Sequence, residues 1–169
     1  SKATIDRVGT DKATGVKIRS ASVTIRDTVI SNSSVGLDVA GVKLQVSGVL
    51  FYSNVVGVYA TAGANITLSK STVTKSITGI EASSSVFSLD STRIEKCNAG
   101  ASLTKSTGEF KSSTITSNID GIIANSSSKV LLSSAVLTQN TLAALSLSSR
   151  SELNGTSITI TTNPTALRM

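Results

Sequence analysis

Histidine and tryptophan are absent from this 169-residue chain, and cysteine, proline and methionine occur once each. Without an imidazole there is nothing to activate a nucleophile in the usual way, and the single Cys97 excludes an internal disulfide and any metal site built on several cysteines or histidines. No metal and no cofactor is expected. Aromatic residues make up only 3% of the chain. No apolar run approaches the roughly 20 residues of a membrane-crossing helix, so no transmembrane segment is expected. The net charge of +6 comes from 16 basic residues scattered along the chain, without clusters or interleaved aromatics. That pattern argues against specific nucleic-acid binding and leaves a diffuse attraction to polyanions.

What the chain has in quantity is serine and threonine, almost a third of the residues, set in a strict repeat. A glycine followed by an apolar residue recurs at Gly15, Gly36, Gly57, Gly79, Gly100 and Gly121, in steps of 21 or 22 residues, and a degenerate copy begins near Ala144. Within each copy three short bursts alternate apolar and polar residues. Leu37/Val39, Leu44/Val46 and Val49/Phe51 form one set, and Ile80/Ala82, Phe87/Leu89 and Thr92/Ile94 another. Alternation with period two in three bursts predicts three short strands per copy, apolar side inward, separated by turns. The extra residue of the third and sixth copies falls near Gly63 and Ser127, where a turn absorbs it. Seven stacked copies, with strands roughly 4.8 Å apart, give an all-β parallel solenoid on the order of 35 Å long.

One polar position keeps the same phase as the glycines: Ser33, Asn54, Ser76, Cys97, Asn118, Asn140 and Asn163. Stacked amides can donate and accept along the solenoid axis while holding the turn backbone, so this column reads as a structural polar ladder. Cys97 reads as a small buried substitute within it.

Three apolar pairs per turn, the Asn-x-x-Gly-apolar junctions at Asn54 to Val58 and Asn118 to Ile122, and the 21 to 22 residue period resemble the right-handed parallel β-helix superfamily. Pectate lyases, other polysaccharide-active enzymes, phage tailspikes and surface adhesins share that fold. The resemblance covers residues 15 to 163 and implies a right-handed single-stranded β-helix with polysaccharide or cell-surface glycan among its expected partners. Pectinase signatures are missing: there is no Gly-His-Gly, no Asp-Asp pair and no aspartate cluster suited to calcium. Arg93-Ile94-Glu95 resembles a pectinase Arg-Ile-Lys element without its lysine. No catalytic residue is therefore assigned.

The solvent-facing column of the first strand should read Lys17, Asp38, Tyr59, Glu81, Ser102, Ile123 and Ser146. Its first four members form the expected glycan-binding face, an aromatic ring between two carboxylate residues whose Cα atoms are about 10 Å apart, near the upper end of the carboxylate spacing of inverting glycosidases. Lys17 with Asp38, and Asp90 with Lys111, are expected as ion pairs between adjacent turns. The expected function is a non-catalytic surface or secreted module, extracellular or at the cell surface, for adhesion, glycan binding or rigid spacing. A polysaccharide lyase or glycosidase, or a fragment of one, is the alternative. Outward threonine pairs of the third strand (Thr72/Thr74, Thr114/Thr116, Thr159/Thr161) raise ice binding as a minor one.

The expected organisation is one domain over residues 1–169. It has a partial turn at 1–14 with Ala3 and Ile5 inward, regular turns at 15–163 and a tail at 164–169. Solenoid ends expose apolar columns and strand edges, so flanking domains of a longer chain, or end-to-end or side-by-side self-association, are expected.

Overall fold

The computed structural model describes the backbone of residues 3–6 and the whole of residues 13–19 and 23–169. It is a parallel β-solenoid of about seven coils, built from three sheets of eight, eight and seven strands. In each coil a first strand, a second and a third follow in order, as in Thr78–Ser83, Val86–Asp90 and Arg93–Glu95. Each strand then pairs in parallel with its equivalent one coil away, 21 or 22 residues through the middle of the stack and 23 into the last coil, for example Ile80 with Val58 below and Ala101 above. Shifting that register by one residue would turn every apolar pair to solvent, so the hydrophobic pattern itself sets the stacking. The extra residues fall where the spacing places them: three residues instead of two separate the first and second strands around Gly63 and Ser127.

The inward pairs are buried through the middle of the stack, with Leu37, Val58, Ile80, Ala101, Ile122 and Leu145 forming one continuous column. Phe87 and Phe110 meet edge to face, with ring centroids 5.3 Å apart and planes at 85°. Gly108, the inward residue opposite them, has no room for a side chain, since a Cβ there would lie 2.8 Å from the Phe87 ring. The repeating glycine has a similar origin. A Cβ on Gly79 or Gly100 would lie 2.4 Å from the carbonyl oxygen of the next glycine in the column. Close approach of coil to coil, rather than an unusual dihedral, fixes that residue.

At the last coil the core thins, leaving Leu153, Ile158 and Ile160 half-buried. Residues 164–169 are more than a tail: Thr165–Arg168 pairs with Ala143–Leu147 and extends the first sheet. At the other end Ala3–Asp6 pairs with Thr28–Ser31 in the third sheet. The inward direction expected for Ala3 and Ile5 concerns side chains outside those described.

Each corner turns on a residue at positive φ. Before the first strand these are Ser53, Lys75, Lys96, Ser117 and Gln139, with φ between 54° and 57°. The turn points the following backbone N–H inward, out of reach of the strand ladder, where it requires a partner. That requirement explains the small polar residues at all three corners.

Candidate functional site

On the outer face of the first sheet, Lys17, Asp38, Tyr59, Glu81, Ser102, Ile123 and Ser146 stand in one register column. Tyr59 is half-buried between Asp38 and Glu81, with one coil step to each. Two steps put the carboxylate-bearing Cα atoms roughly 10 Å apart. That is wider than the ≈ 5–5.5 Å between carboxyl groups of retaining glycosidases and near the upper end of the ≈ 6.5–9.5 Å of inverting ones.

The charges around this column differ from those expected. Arg19, not Lys17, takes Asp38: its guanidinium donates to Asp38 Oδ2 and, at 3.1 Å, to the Asp38 carbonyl oxygen. A planar fork at the strand end can engage both oxygens, whereas the Lys17 ammonium, on the exposed middle of the strand, stays in solvent. Asp90 and Lys111 share a register position without an ion pair, and Asp90 Oδ1 accepts a hydrogen bond from Ser91 Oγ at 3.1 Å. At the far end of the face, Arg168 donates from Nε to Ser146 Oγ at 3.2 Å and lies 3.8 Å from Asp120 Oδ1. A guanidinium therefore stands at each end. Glu81 between them has no ion pair among the described residues.

The polar column lies at the corner between the third and first sheets. Asn118 Oδ1 accepts from the Cys97 N–H at 2.9 Å, Asn140 Oδ1 from the Asn118 N–H at 3.2 Å, and Asn163 Oδ1 from the Asn140 N–H at 2.9 Å. Asn54 does the same for Ser33 at 3.0 Å. Ser76 Oγ is buried without a partner. Cys97 is buried and donates from Sγ to the Glu95 carbonyl at 3.3 Å, and desolvation pushes its thiol up from the ordinary value. A thiol held in that way is a weak nucleophile.

Three features escaped sequence reasoning. The first is a pair of hydroxyl ladders at the other corners: Thr92 N–H donates to Ser113 Oγ at 3.2 Å and Ser85 N–H to Ser106 Oγ at 3.1 Å. The second is a tyrosine clamp on the third-sheet face. Lys75 Nζ lies 5.0 Å from the Tyr52 ring centroid and donates to its hydroxyl at 3.2 Å, which holds the phenol below its usual range. The third is a polar groove of about 350 Å³ on the second-sheet face, lined by Thr24, Arg26, Gln45, Ser47, Thr67 and Ser69. A faint signal for the first was present, because the corner serines recur with the coil period.

On the third-sheet face, Thr72 and Thr114 flank Arg93 in one column, and Thr74 and Thr116 flank Glu95 in the next. The Arg93–Glu95 bridge, at 2.6 Å, interrupts the threonine array. Among the described residues no group of three or more His, Cys, Asp or Glu side chains is placed to hold a metal ion, and no helix is long and apolar enough to cross a membrane.

No curated protein and no solved structure gives a significant match to this chain. A family model does, described as the right handed beta helix region, over residues 1–119 of the 169. With coils that stack in the same register from the matched part through to Thr165–Arg168, this chain belongs to the right-handed β-helix family.

Proposed function

We propose that this chain is a non-catalytic surface or secreted β-helix module that binds glycan on the outer face of its first sheet. One observation carries the reading: three consecutive coils present Asp38, Tyr59 and Glu81 in a single column, a ring flanked by carboxylates. Sugar rings combine apolar C–H faces with hydroxyls, so they stack on an aromatic side chain while donating hydrogen bonds to nearby carboxylates. A rigid support keeps that column aligned without any ordering on binding. Support for a binding role over an enzymatic one comes from Arg19, which already occupies one oxygen of Asp38.

A glycan array read at low and moderate salt tests this. The expected result is binding that Tyr59→Ala reduces at least tenfold, with no depolymerisation of pectin, alginate or glycosaminoglycans. Depolymerisation lost in Asp38→Asn or Glu81→Gln would replace the reading with an enzymatic one. Neither binding nor turnover would leave a rigid spacer.

A further inference from the structure

The corner between the third and first sheets carries an apolar ridge on its outer side. One residue after Asn54, Ser76, Cys97 and Asn118 come half-buried Val55 and exposed Ile77, Asn98 and Ile119 in successive coils; in the next coil the extra residue Thr141 follows Asn140, and Leu142 takes the equivalent place. Ile119 donates its N–H to the Cys97 carbonyl, one position behind Asn98, and Leu142 donates to Ile119, so the residues follow one another up the axis. Ile77, Ile119 and Leu142 are 54%, 45% and 44% exposed. Elsewhere in coils two to six, among the described residues, Val86 is the one other large apolar side chain so exposed. Half-buried Val56 and Ala99 lie beside the ridge at the start of the first strand. The concentration of exposed apolar side chains in one column is not what scattered surface hydrophobics look like. From Val55 to Leu142 the ridge spans four coil steps, roughly 19 Å.

We propose that this ridge docks on the same ridge of a second copy, with the two solenoids side by side and parallel. Two features of the surface select that occupant. The apolar side chains are spaced by the coil rise, and a second copy presents the same side chains at the same rise, so the two rows match along their whole length. The flanking charges then select the orientation. On the third-sheet side of the ridge stand Lys75 and Lys96, with Glu95 taken up by Arg93, while on the first-sheet side stand Glu81 and Asp120, the latter 3.8 Å from Arg168. A two-fold axis parallel to the solenoid axis sets the basic flank of one copy against the acidic flank of the other. Lys75 and Glu81 are six residues apart, less than a third of a coil, so they meet at nearly the same height. An antiparallel pairing would set lysines against lysines and carboxylates against carboxylates. The area is small for an interface, which places the association in the weak, concentration-dependent class.

Light scattering after size exclusion, across a concentration series reaching hundreds of micromolar, should show the mass rising from 17.3 kDa toward twice that value. The double substitution Ile77→Lys/Ile119→Lys should weaken the association at least tenfold while leaving the circular dichroism spectrum unchanged, because both side chains face solvent. Orientation is read by oxidative cross-linking in a Cys97→Ser background, a change the ladder accommodates at Ser33 and Ser76. In the parallel dimer each ridge position meets its own counterpart. Ile77→Cys and Ile119→Cys should therefore each give a disulfide-linked dimer alone. A monomer at every concentration would overturn the proposal. So would cross-links that form only when Ile77→Cys and Ile119→Cys chains are mixed. The glycan reading stands or falls on loss of glycan binding in Tyr59→Ala, a readout separate from both results, although Glu81 belongs to both surfaces.

Discussion

The corner before the first strand and the corner before the third strand solve one problem with different chemistry. In both, the inward-turned backbone N–H of one coil is received by a side chain from the next. At the third-strand corner the receiver is a hydroxyl. Ser71, Thr92 and Ser113 each accept one such N–H; Ser71 and Ser113 donate to the carbonyl two residues back in their own coil, as Ser113 does with Lys111 at 2.8 Å, while Thr92 Oγ1 lies 3.2 Å from both the Asp90 carbonyl and the Leu68 carbonyl of the preceding coil. At the first-strand corner an amide does more. Asn140 accepts from the Asn118 N–H, and its Nδ2 donates across the coil boundary to the Ile115 carbonyl at 3.3 Å and to Asn163 Oδ1 at 3.0 Å. A hydroxyl has a single proton to give, while an amide with two donors and an acceptor links neighbouring coils several times at once. The amide corner should therefore hold the stack more firmly, and most firmly between Asn118 and Asn163, where three amides follow one another.

The strongest way to break that comparison is Asn140→Ala. It strands the buried Asn118 N–H and removes the bonds that Asn140 Nδ2 donates to the Ile115 carbonyl and to Asn163 Oδ1, and the expected loss is about 3 kcal/mol in denaturant unfolding followed by circular dichroism. A loss no larger than that of a hydroxyl deletion would mean that the amide adds nothing. Ser113→Ala is that deletion. It removes the partner of the Thr92 N–H and should cost about 1.5 kcal/mol, as one backbone donor is left buried without a receiver. A gain sharpens the contrast further. In Ser76→Asn, the new amide sits where the ladder is broken and reaches the Asn54 N–H below. Its stability should rise by about 1 kcal/mol in the same assay, the net worth of the bonds formed. No gain would show that the break at Ser76 is accommodated in some other way.

These two corners also differ in how readily they are seen in the chain. Asparagine is uncommon here, so its return at a fixed phase in Asn54, Asn118 and Asn140 stands out. Serine and threonine are so abundant that Ser71, Thr92 and Ser113 pass for weak members of an apolar pair, although they form a ladder of their own. The first-sheet column was readable for a different reason: parallel stacking without slips maps residue i onto i plus one period, and that mapping placed Asp38, Tyr59 and Glu81 together. Their ionic partners were not readable. Lys17 shares a register position with Asp38, yet Arg19 reaches it from the strand end, because side-chain length and hydrogen-bond direction decide contacts that register alone does not.

The sequence by itself determined the period, the three strands per coil, the inward columns and the place of the extra residues near Gly63 and Ser127. All of these follow from periodic burial, since a strand that slips by one position exposes its whole apolar set. Only the tertiary structure decided which guanidinium holds Asp38, that Lys75 sits on Tyr52, that hydroxyls close two corners, and that Ile77, Ile119 and Leu142 line up outside the amide corner. Those outcomes depend on the direction in which each corner projects its side chains around the axis. That direction is set by a positive-φ residue in every turn, a conformation that Ser, Lys and Gln adopt here without any mark in the sequence.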